Sequence, residues 1–147
     1  MKFIGFDDED KAIKWANEKI GIDSPIGFAR AMSSVDSNGD YVVVVVITNF
    51  GPRNVDMQIA IADTGKKITR SGGKDLFNGV FGYVFNELGV ARVTGLIRSA
   101  NKASCRFVEH LGFKLEGVMR DSFEDDDLCV YGFLKQEFLD NRWHHGK

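Results

Sequence analysis

Residues 101–117, NKASCRFVEHLGFKLEG, predict a short amphipathic helix that is followed at once by a strand. Asn101 is a favourable N-cap, because its side-chain oxygen can accept a hydrogen bond from a free amide of the first helical turn. Gly112 suits the left-handed conformation in which many helices end. The helix is therefore expected from Asn101 to Leu111, with Asn101 and Ser104 at its open N-terminal end.

The composition is that of a globular domain. The chain has 147 residues, 44% of them hydrophobic, and neither a linker nor a repeat divides it, so a single domain over residues 1–147 is expected. A net charge of −2 argues against a broad nucleic-acid surface. The sequence shows no signal peptide and no apolar run of about 20 residues, so we expect a cytoplasmic protein that does not bind membranes. Cys105 and Cys129 are expected to be free thiols.

Hydrophobic periodicity predicts the elements on either side of this stretch. They are a helix at 8–20, strands at 28–35, 41–50 and 55–62, a helix at 75–88, a strand at 92–97, the helix at 101–111, strands at 114–121 and 128–134, and a helical tail at 135–142. The run 41–50 is almost unbroken Val and Ile, which is typical of a central strand covered on both faces. This order predicts an α/β (α+β) fold with helices on both faces of a mixed sheet.

Residues 66–75, KKITRSGGKD, lead from a strand end into a helix N-terminus. Glycines let backbone amides turn toward an anion, and the helix dipole favours negative charge there. Lys66, Lys67, Arg70 and Lys74 add positive charge. A solvated loop with ordinary capping glycines explains the same residues, and a Walker A loop is excluded because its G-x-x-x-x-G-K-S/T pattern is absent.

The 101–117 stretch resembles, nearly residue for residue, the second signature segment of the GNAT superfamily of acetyl-coenzyme A N-acetyltransferases. It is most similar to the branch that acetylates ribosomal-protein N-termini, with the pattern N-x-x-S-x-x-V-x-E-x-L-G-F-x-x-E-G. A weaker similarity to phage-encoded relatives rests on Thr69-Arg70 and on FGYVF at 81–85. The resemblance spans most of the chain, is specific in the second half, and implies a GNAT-like, mostly antiparallel central sheet with helices on both faces.

The resemblance implies acetyl-CoA as cosubstrate and no metal. Residues 60–62 would hold the pantetheine arm through their backbone, the segment 70–74 would hold the pyrophosphate, and Ser104 would protonate the leaving thiolate. The coenzyme-binding residues implied in this way are Ala60, Ile61, Ala62, Arg70, Ser71, Gly72, Gly73, Lys74, Asn101 and Ser104. Helix capping alone also explains Asn101 and Ser104. The family pattern has a small residue at the position of Asp75, so the chain departs from the pattern there. A carboxylate at this position would repel phosphate.

The general base is sought among carboxylates, because attack on a thioester needs a neutral amine. Asp56 is the first candidate, followed by Glu116 and Asp121, and each is also explained as an ordinary strand-end carboxylate. Many GNAT enzymes use a Tyr as the acid at a position that is Val108 here, so such an acid is excluded. The acidic turn at 124–127 is either a solvated turn or a surface that attracts a cationic acceptor.

Together these observations predict an N-acetyltransferase that moves an acetyl group from acetyl-CoA to a primary amine by direct attack in a ternary complex. The acceptor would be a protein N-terminus, a cationic peptide or a small-molecule amine, and the protein a monomer or a homodimer. Asp56 and Ser104 are the predicted catalytic residues. The alternative is a catalytically inactive GNAT-like binding or virion-associated structural protein.

Overall fold

The computed structural model describes residues 1–21, 28–63 and 68–144. Its strands are β1 Lys2–Gly5, β2 Arg30–Val35, β3 Tyr41–Thr48, β4 Asn54–Ile61, β5 Arg92–Arg98, β6 Lys114–Phe123 and β7 Asp126–Leu134. Its helices are α1 Glu9–Ile20, α2 Arg70–Phe81, α3 Lys102–Leu111 and α4 Lys135–Asp140, and α2 continues as a π-helical turn over Gly82–Glu87. None of these described helices combines the length and the hydropathy that a bilayer span requires.

The strands that the structure describes form one sheet in the order β1-β2-β3-β4-β5-β7-β6. Neighbouring strands run antiparallel, except that β4 and β5 are parallel. A parallel pair needs a crossover connection, and α2 supplies it. The predicted mixed, mostly antiparallel sheet is therefore confirmed.

Helices cover both faces of the sheet, as predicted. On one face, α1 packs against Val44 and Val46 of β3. On the other face, α2, α3 and α4 bury a larger aromatic core that contains Phe77, Phe81, Phe85, Phe113, Phe133 and Phe138. Because side chains of β3 alternate between the two faces, the whole run Tyr41–Ile47 is buried. The prediction of a central strand covered on both faces is confirmed.

Two features of the N-terminal half differ from the predictions. β1 was not predicted, and it pairs with β2 at one edge of the sheet. The predicted start of α2 at Asp75 is wrong, because the helix begins at Arg70. The Oγ1 atom of Thr69 accepts a hydrogen bond from the Gly72 amide at 3.1 Å, and this cap starts the helix despite two glycines in its first turn.

Close packing explains one of the glycines within α2. A Cβ atom at Gly79 would overlap the ring of Phe3 in β1, whereas a Cβ at Gly82 would meet open space. The lack of a side chain at Gly79 thus permits α2 to pack closely against β1. The boundaries of the other predicted elements fall within two residues of the observed ones.

Candidate active site

Strands β4 and β5 separate part-way along their length. The ladder between them ends at the pair Met57–Gly95, although β4 continues to Ile61 and β5 to Arg98. On its other edge, β4 stays paired with β3 as far as Ile61. The end of β4 therefore has an opening on the side of β5.

A cavity of about 620 Å³ occupies this opening. Its walls include Ile59 and Ile61 of β4, Leu96 and Arg98 of β5, and Asn101 at the start of α3. A volume of this order is usual for small-molecule sites. We call this cavity the β4–β5 cleft.

The backbone of β4 alternates between its two neighbours. The Ala62 N–H donates a hydrogen bond to the carbonyl oxygen of Val42, beside β3, at 2.8 Å. In an antiparallel pair, successive residues direct their N–H and C=O groups to opposite sides. The backbone groups of Ile59 and Ile61 therefore face the cleft, while those of Ala60 and Ala62 face β3. Of the three predicted pantetheine-binding residues, Ile61 presents its backbone to the cleft.

The first turn of α3 borders the same cleft. Asn101 Oδ1 accepts a hydrogen bond from the Ser104 N–H at 3.2 Å, which confirms Asn101 as the helix N-cap. Ser104 is fully buried, and its Oγ donates to the carbonyl oxygen of Ile59 at 3.2 Å. The structure thus brings Asn101 and Ser104 together at the open edge of β4.

The predicted pyrophosphate segment, Arg70–Lys74, lies in the first turn of α2. Gly72 and Gly73 are buried, and a Cβ atom at Gly72 would meet Met1 and the capping Thr69. Among the described residues, none of this segment lines the β4–β5 cleft. The predicted cationic residues 66 and 67 lie outside the described residues. Asp75 is exposed in the second turn of the helix.

Asp56 lies on β4 immediately before the point where the strands separate. Its neighbours Val55 and Met57 point into the α2–α3 core, so Asp56 points to the face that α1 covers. Both carboxylate oxygens accept side-chain amide hydrogen bonds, from Asn49 and from Asn54, each at 3.1 Å. Within the described ranges, no basic side chain pairs with this half-buried carboxylate.

The second candidate base, Glu116, is held in an ion pair. It lies at a bulge of β6 and accepts hydrogen bonds from Arg92 at 2.6 and 3.3 Å. Its carboxylate occupies the space above Gly132, which a Cβ atom would fill. Glu116 is therefore paired with a cation, in contrast to Asp56.

One hydrogen-bond network connects these two carboxylates. Asn54 Oδ1 accepts from Thr94 Oγ1 at 2.6 Å and from Arg92 Nε at 3.3 Å, while the amide of Asn54 donates to Asp56. Asp121, the third candidate, is exposed and lies near the β6–β7 turn, where its N–H donates to Asp127. The structure thus places Asp56 and Glu116 in one cluster and Asp121 outside it.

Two solved structures with a similar fold are acetyltransferases. The spermidine N-acetyltransferase SpeG from Vibrio cholerae, in complex with CoA and spermine, has a TM-score of 0.63, 20% sequence identity and coverage of 89% of this chain and 78% of that chain. The N-terminal domain of ribosomal-protein-alanine acetyltransferase from Clostridium acetobutylicum has a TM-score of 0.58, 15% identity and coverage of 79% and 98%. The fold is the GNAT fold. No protein-family model matches the chain, and no curated protein is significantly similar in sequence.

Two titratable groups of this GNAT fold are unsuited to act as bases. The Tyr131 hydroxyl donates to Glu109 at 3.0 Å, and burial raises the pKa of Tyr131 well above its usual range. Burial also raises the pKa of the Cys105 thiol. Both groups therefore stay protonated at neutral pH. Cys105 and Cys129 are free thiols, as predicted.

Several residues of the site were not predicted from the sequence. Ile59 receives the Ser104 hydroxyl, and Asn54, Arg92 and Thr94 build the network beside Asp56. Alternation along β4 could have placed Asp56 opposite the core face. The same alternation places Asn54 beside Asp56, two residues away on β4. Asn49, Arg92 and Thr94 could not have been found in this way, because they come from the β3–β4 turn and from β5.

Proposed function

We propose that this protein is an N-acetyltransferase that transfers the acetyl group of acetyl-CoA to a primary amine by direct attack in a ternary complex. The observation that carries the proposal is the β4–β5 cleft with the first turn of α3 at its side. The fold shared with SpeG and with the ribosomal-protein-alanine acetyltransferase domain supports the reaction class.

The pantetheine arm would lie in the β4–β5 cleft like a short extra strand. Ile61 offers a backbone N–H and C=O on this side, and an amide-containing ligand can pair with them as a neighbouring strand would. Asn101, which lines the cleft, keeps its side-chain NH₂ available while its oxygen caps α3. These groups select for a flat, amide-bearing chain.

The pyrophosphate would bind at the start of α2, at Arg70, Ser71, Gly72, Gly73 and Lys74. Thr69 engages the amides of Gly72 and Gly73 through its hydroxyl and its carbonyl oxygen. This capping leaves the amides of Arg70 and Ser71, which together with the helix dipole attract an anion. Exposed Asp75 is one helical turn away, so water screens its repulsion.

Asp56 would bind the acceptor ammonium and remove its proton. Its two partners among the described residues are neutral amides, and no described cation pairs with this half-buried carboxylate, so an ammonium group would complete it. Deprotonating an α-amine of pKa about 8 costs about 1.4 kcal/mol at pH 7, whereas a lysine of pKa about 10.4 costs about 4.6 kcal/mol. A weak base therefore suffices for a protein N-terminus, the acceptor we favour over a lysine side chain. Small-molecule amines remain within the proposed acceptor class.

In the chemical step, the neutral amine would form a bond to the thioester carbon as the C–S bond breaks. The Ile59 N–H faces the cleft and would donate to the developing oxyanion. Ser104 would turn its O–H from the Ile59 carbonyl to the departing sulfur and protonate it, which releases CoA as a thiol. The Ser104 oxygen would recover a proton from the acylated nitrogen, which thereby becomes a neutral amide. The proton removed by Asp56 would then pass to solvent.

The test is CoA thiol release with acetyl-CoA and peptide or polyamine acceptors. We expect acceptor-dependent release by the natural protein, and Asp56→Asn should lower kcat/KM about 100-fold while acetyl-CoA binding is kept. Asp121→Asn is the matched control and should retain full activity. Full activity of Asp56→Asn would contradict the assigned base.

The second candidate function is a GNAT-like binding protein without catalysis. The packing of Met1 over Gly72 favours it, because this contact occupies backbone that the pyrophosphate would approach. Under this alternative the protein would bind a partner and show no saturation with acetyl-CoA. Removal of Met1 would then not produce saturable binding of acetyl-CoA, whereas the enzyme proposal expects saturable binding both with and without Met1.

A further inference from the structure

The corner between β5 and α3, residues 99–101, is held from outside by the β6–β7 hairpin. The Ser99 N–H donates to the carbonyl oxygen of Asp127 at 2.9 Å. The Ala100 N–H donates to Asp126 Oδ2 at 3.1 Å. The Ser99 hydroxyl also contacts the Cys129 sulfur at 3.2 Å. Three groups of the hairpin therefore fix the two residues that lead into the cap of α3.

The hairpin is itself built to present Asp126 at this corner. Asp126 Oδ1 accepts the Asp127 N–H at 2.8 Å, and Asp127 Oδ1 accepts the Asp121 N–H at 2.8 Å. Asp121 has a positive φ of 59°, a conformation that a non-glycine residue adopts at some energetic cost. The hydrogen bond to Asp127 offsets this cost and orients the turn.

The acidic run at 124–127 therefore divides into two parts. Glu124 and Asp125 form the exposed tip, and within the described ranges neither side chain has a hydrogen-bond or ion-pair partner. Asp126 and Asp127 are partly buried and bonded to backbone amides. The predicted solvated turn is confirmed for the tip only.

We infer that Asp126 is a positioning residue, which holds the corner at 99–101 so that Asn101 keeps its place in the β4–β5 cleft and Ser104 its place beside Ile59. The Ala100 amide directly precedes Asn101, and a carboxylate forms a stronger hydrogen bond to an amide than a neutral acceptor does. When this acceptor is removed, the corner is free to shift, and Asn101 shifts with it. This inference rests on the proposed function, because it concerns the coenzyme end of the proposed site.

The variant Asp126→Ala tests the inference, with Asp125→Ala as its matched control. Each substitution removes one negative charge from the same turn, but only Asp126 contacts the corner. For Asp126→Ala, we expect the Kd for acetyl-CoA to rise about tenfold, which corresponds to about 1.4 kcal/mol. Hydrogen exchange of the Ala100 amide should accelerate in the same variant. Asp125→Ala should match the natural protein in both measurements.

Asp126→Asn separates positioning from charge. The Asn side chain keeps one acceptor oxygen for the Ala100 amide, so coenzyme affinity should return to within about threefold of the natural value. An unchanged Kd in Asp126→Ala, or an equal rise in Asp125→Ala, would overturn the inference. If the natural protein does not bind acetyl-CoA, the proposed function fails, and Ala100 exchange alone decides whether Asp126 holds the corner. Exchange that is unchanged in Asp126→Ala would then overturn it.

Discussion

The two edges of β4 differ in how far their ladders extend. On one edge, β4 pairs with β3 from the Thr48–Asp56 pair to the Val43–Ile61 pair. On the other edge, pairing with β5 stops at Met57, and Ser104 takes the next available carbonyl, that of Ile59. One edge of β4 is thus fully paired within the sheet, and the end of its other edge is open to the cleft. The open edge of β4 is thus created at the point where β5 separates from it.

The largest effect on kcat is expected from removing the Ser104 hydroxyl at the open edge of β4. Ser104→Ala should lower kcat about 100-fold, which is about 2.7 kcal/mol in the barrier, while the Kd for acetyl-CoA stays nearly unchanged. The physical reason is that the departing thiolate loses its proton donor. Steady-state kinetics and calorimetric titration provide the two measurements.

Ser33→Ala is the control for loss of a buried hydroxyl, since Ser33 lies on β2, away from the cleft. This variant should keep its kcat. Unaltered turnover in Ser104→Ala would remove the assigned role of Ser104 and leave it as a structural link between α3 and β4.

Proline substitution distinguishes the two edges directly, because proline lacks the N–H group. In Ile61→Pro the lost N–H faces the cleft, so we expect the Kd for acetyl-CoA to rise about tenfold. In Ala62→Pro the lost N–H is the one that donates to Val42. That variant should lose about 1–3 kcal/mol more unfolding free energy than Ile61→Pro.

Urea denaturation and coenzyme titration of both proline variants check this comparison. The decisive result is which of the two variants loses more unfolding free energy and which loses more affinity for acetyl-CoA. If Ile61→Pro is the more destabilised of the two and binds acetyl-CoA normally, the backbone of Ile61 does not face the cleft.

Asn101→Ala should have an intermediate effect on the unfolding free energy and on the affinity for acetyl-CoA. Loss of the cap is expected to cost about 1 kcal/mol of unfolding free energy and to weaken acetyl-CoA binding about fivefold. Asn101→Asp keeps the capping oxygen but lacks the NH₂ group. It should therefore recover stability in thermal unfolding without recovering affinity, and recovery of both would limit Asn101 to helix capping.

The smallest effect is expected at Asp75. Because this side chain is exposed, Asp75→Asn should tighten acetyl-CoA binding only about twofold or less at moderate salt. Titration at two salt concentrations measures it. A tightening of about tenfold would mean that the carboxylate lies against the bound pyrophosphate.

Much of the fold was predictable because local patterns dominate it. The Val-Ile run of β3 predicted a strand buried on both faces, and the Asn101 cap with Gly112 predicted α3. Strand β1, which was not predicted, has only four residues, and the alternation of hydrophobic residues cannot be recognised in so short a segment. The start of α2 was missed because Gly72 and Gly73 have low helix propensity, and the cap at Thr69 together with packing outweighs it.

The site was predictable in its residue types but less so in its geometry. Asn101 and Ser104 could be placed at a helix start from the sequence, because helix capping is local. The roles of Ile59 and Ile61 depend on which edge of β4 is open, and that depends on where β5 separates from it. The division of the acidic turn into an exposed tip and two carboxylates bonded to backbone likewise depends on a contact between residues far apart in the chain, Asp126 and Ala100.

Calorimetric titration with acetyl-CoA at moderate salt tests the central claim most directly, because the β4–β5 cleft is proposed as a coenzyme site. We predict saturable binding at one site with a micromolar Kd, which Ile61→Pro weakens. Absence of binding at millimolar acetyl-CoA would contradict the account and leave a GNAT fold that serves another purpose.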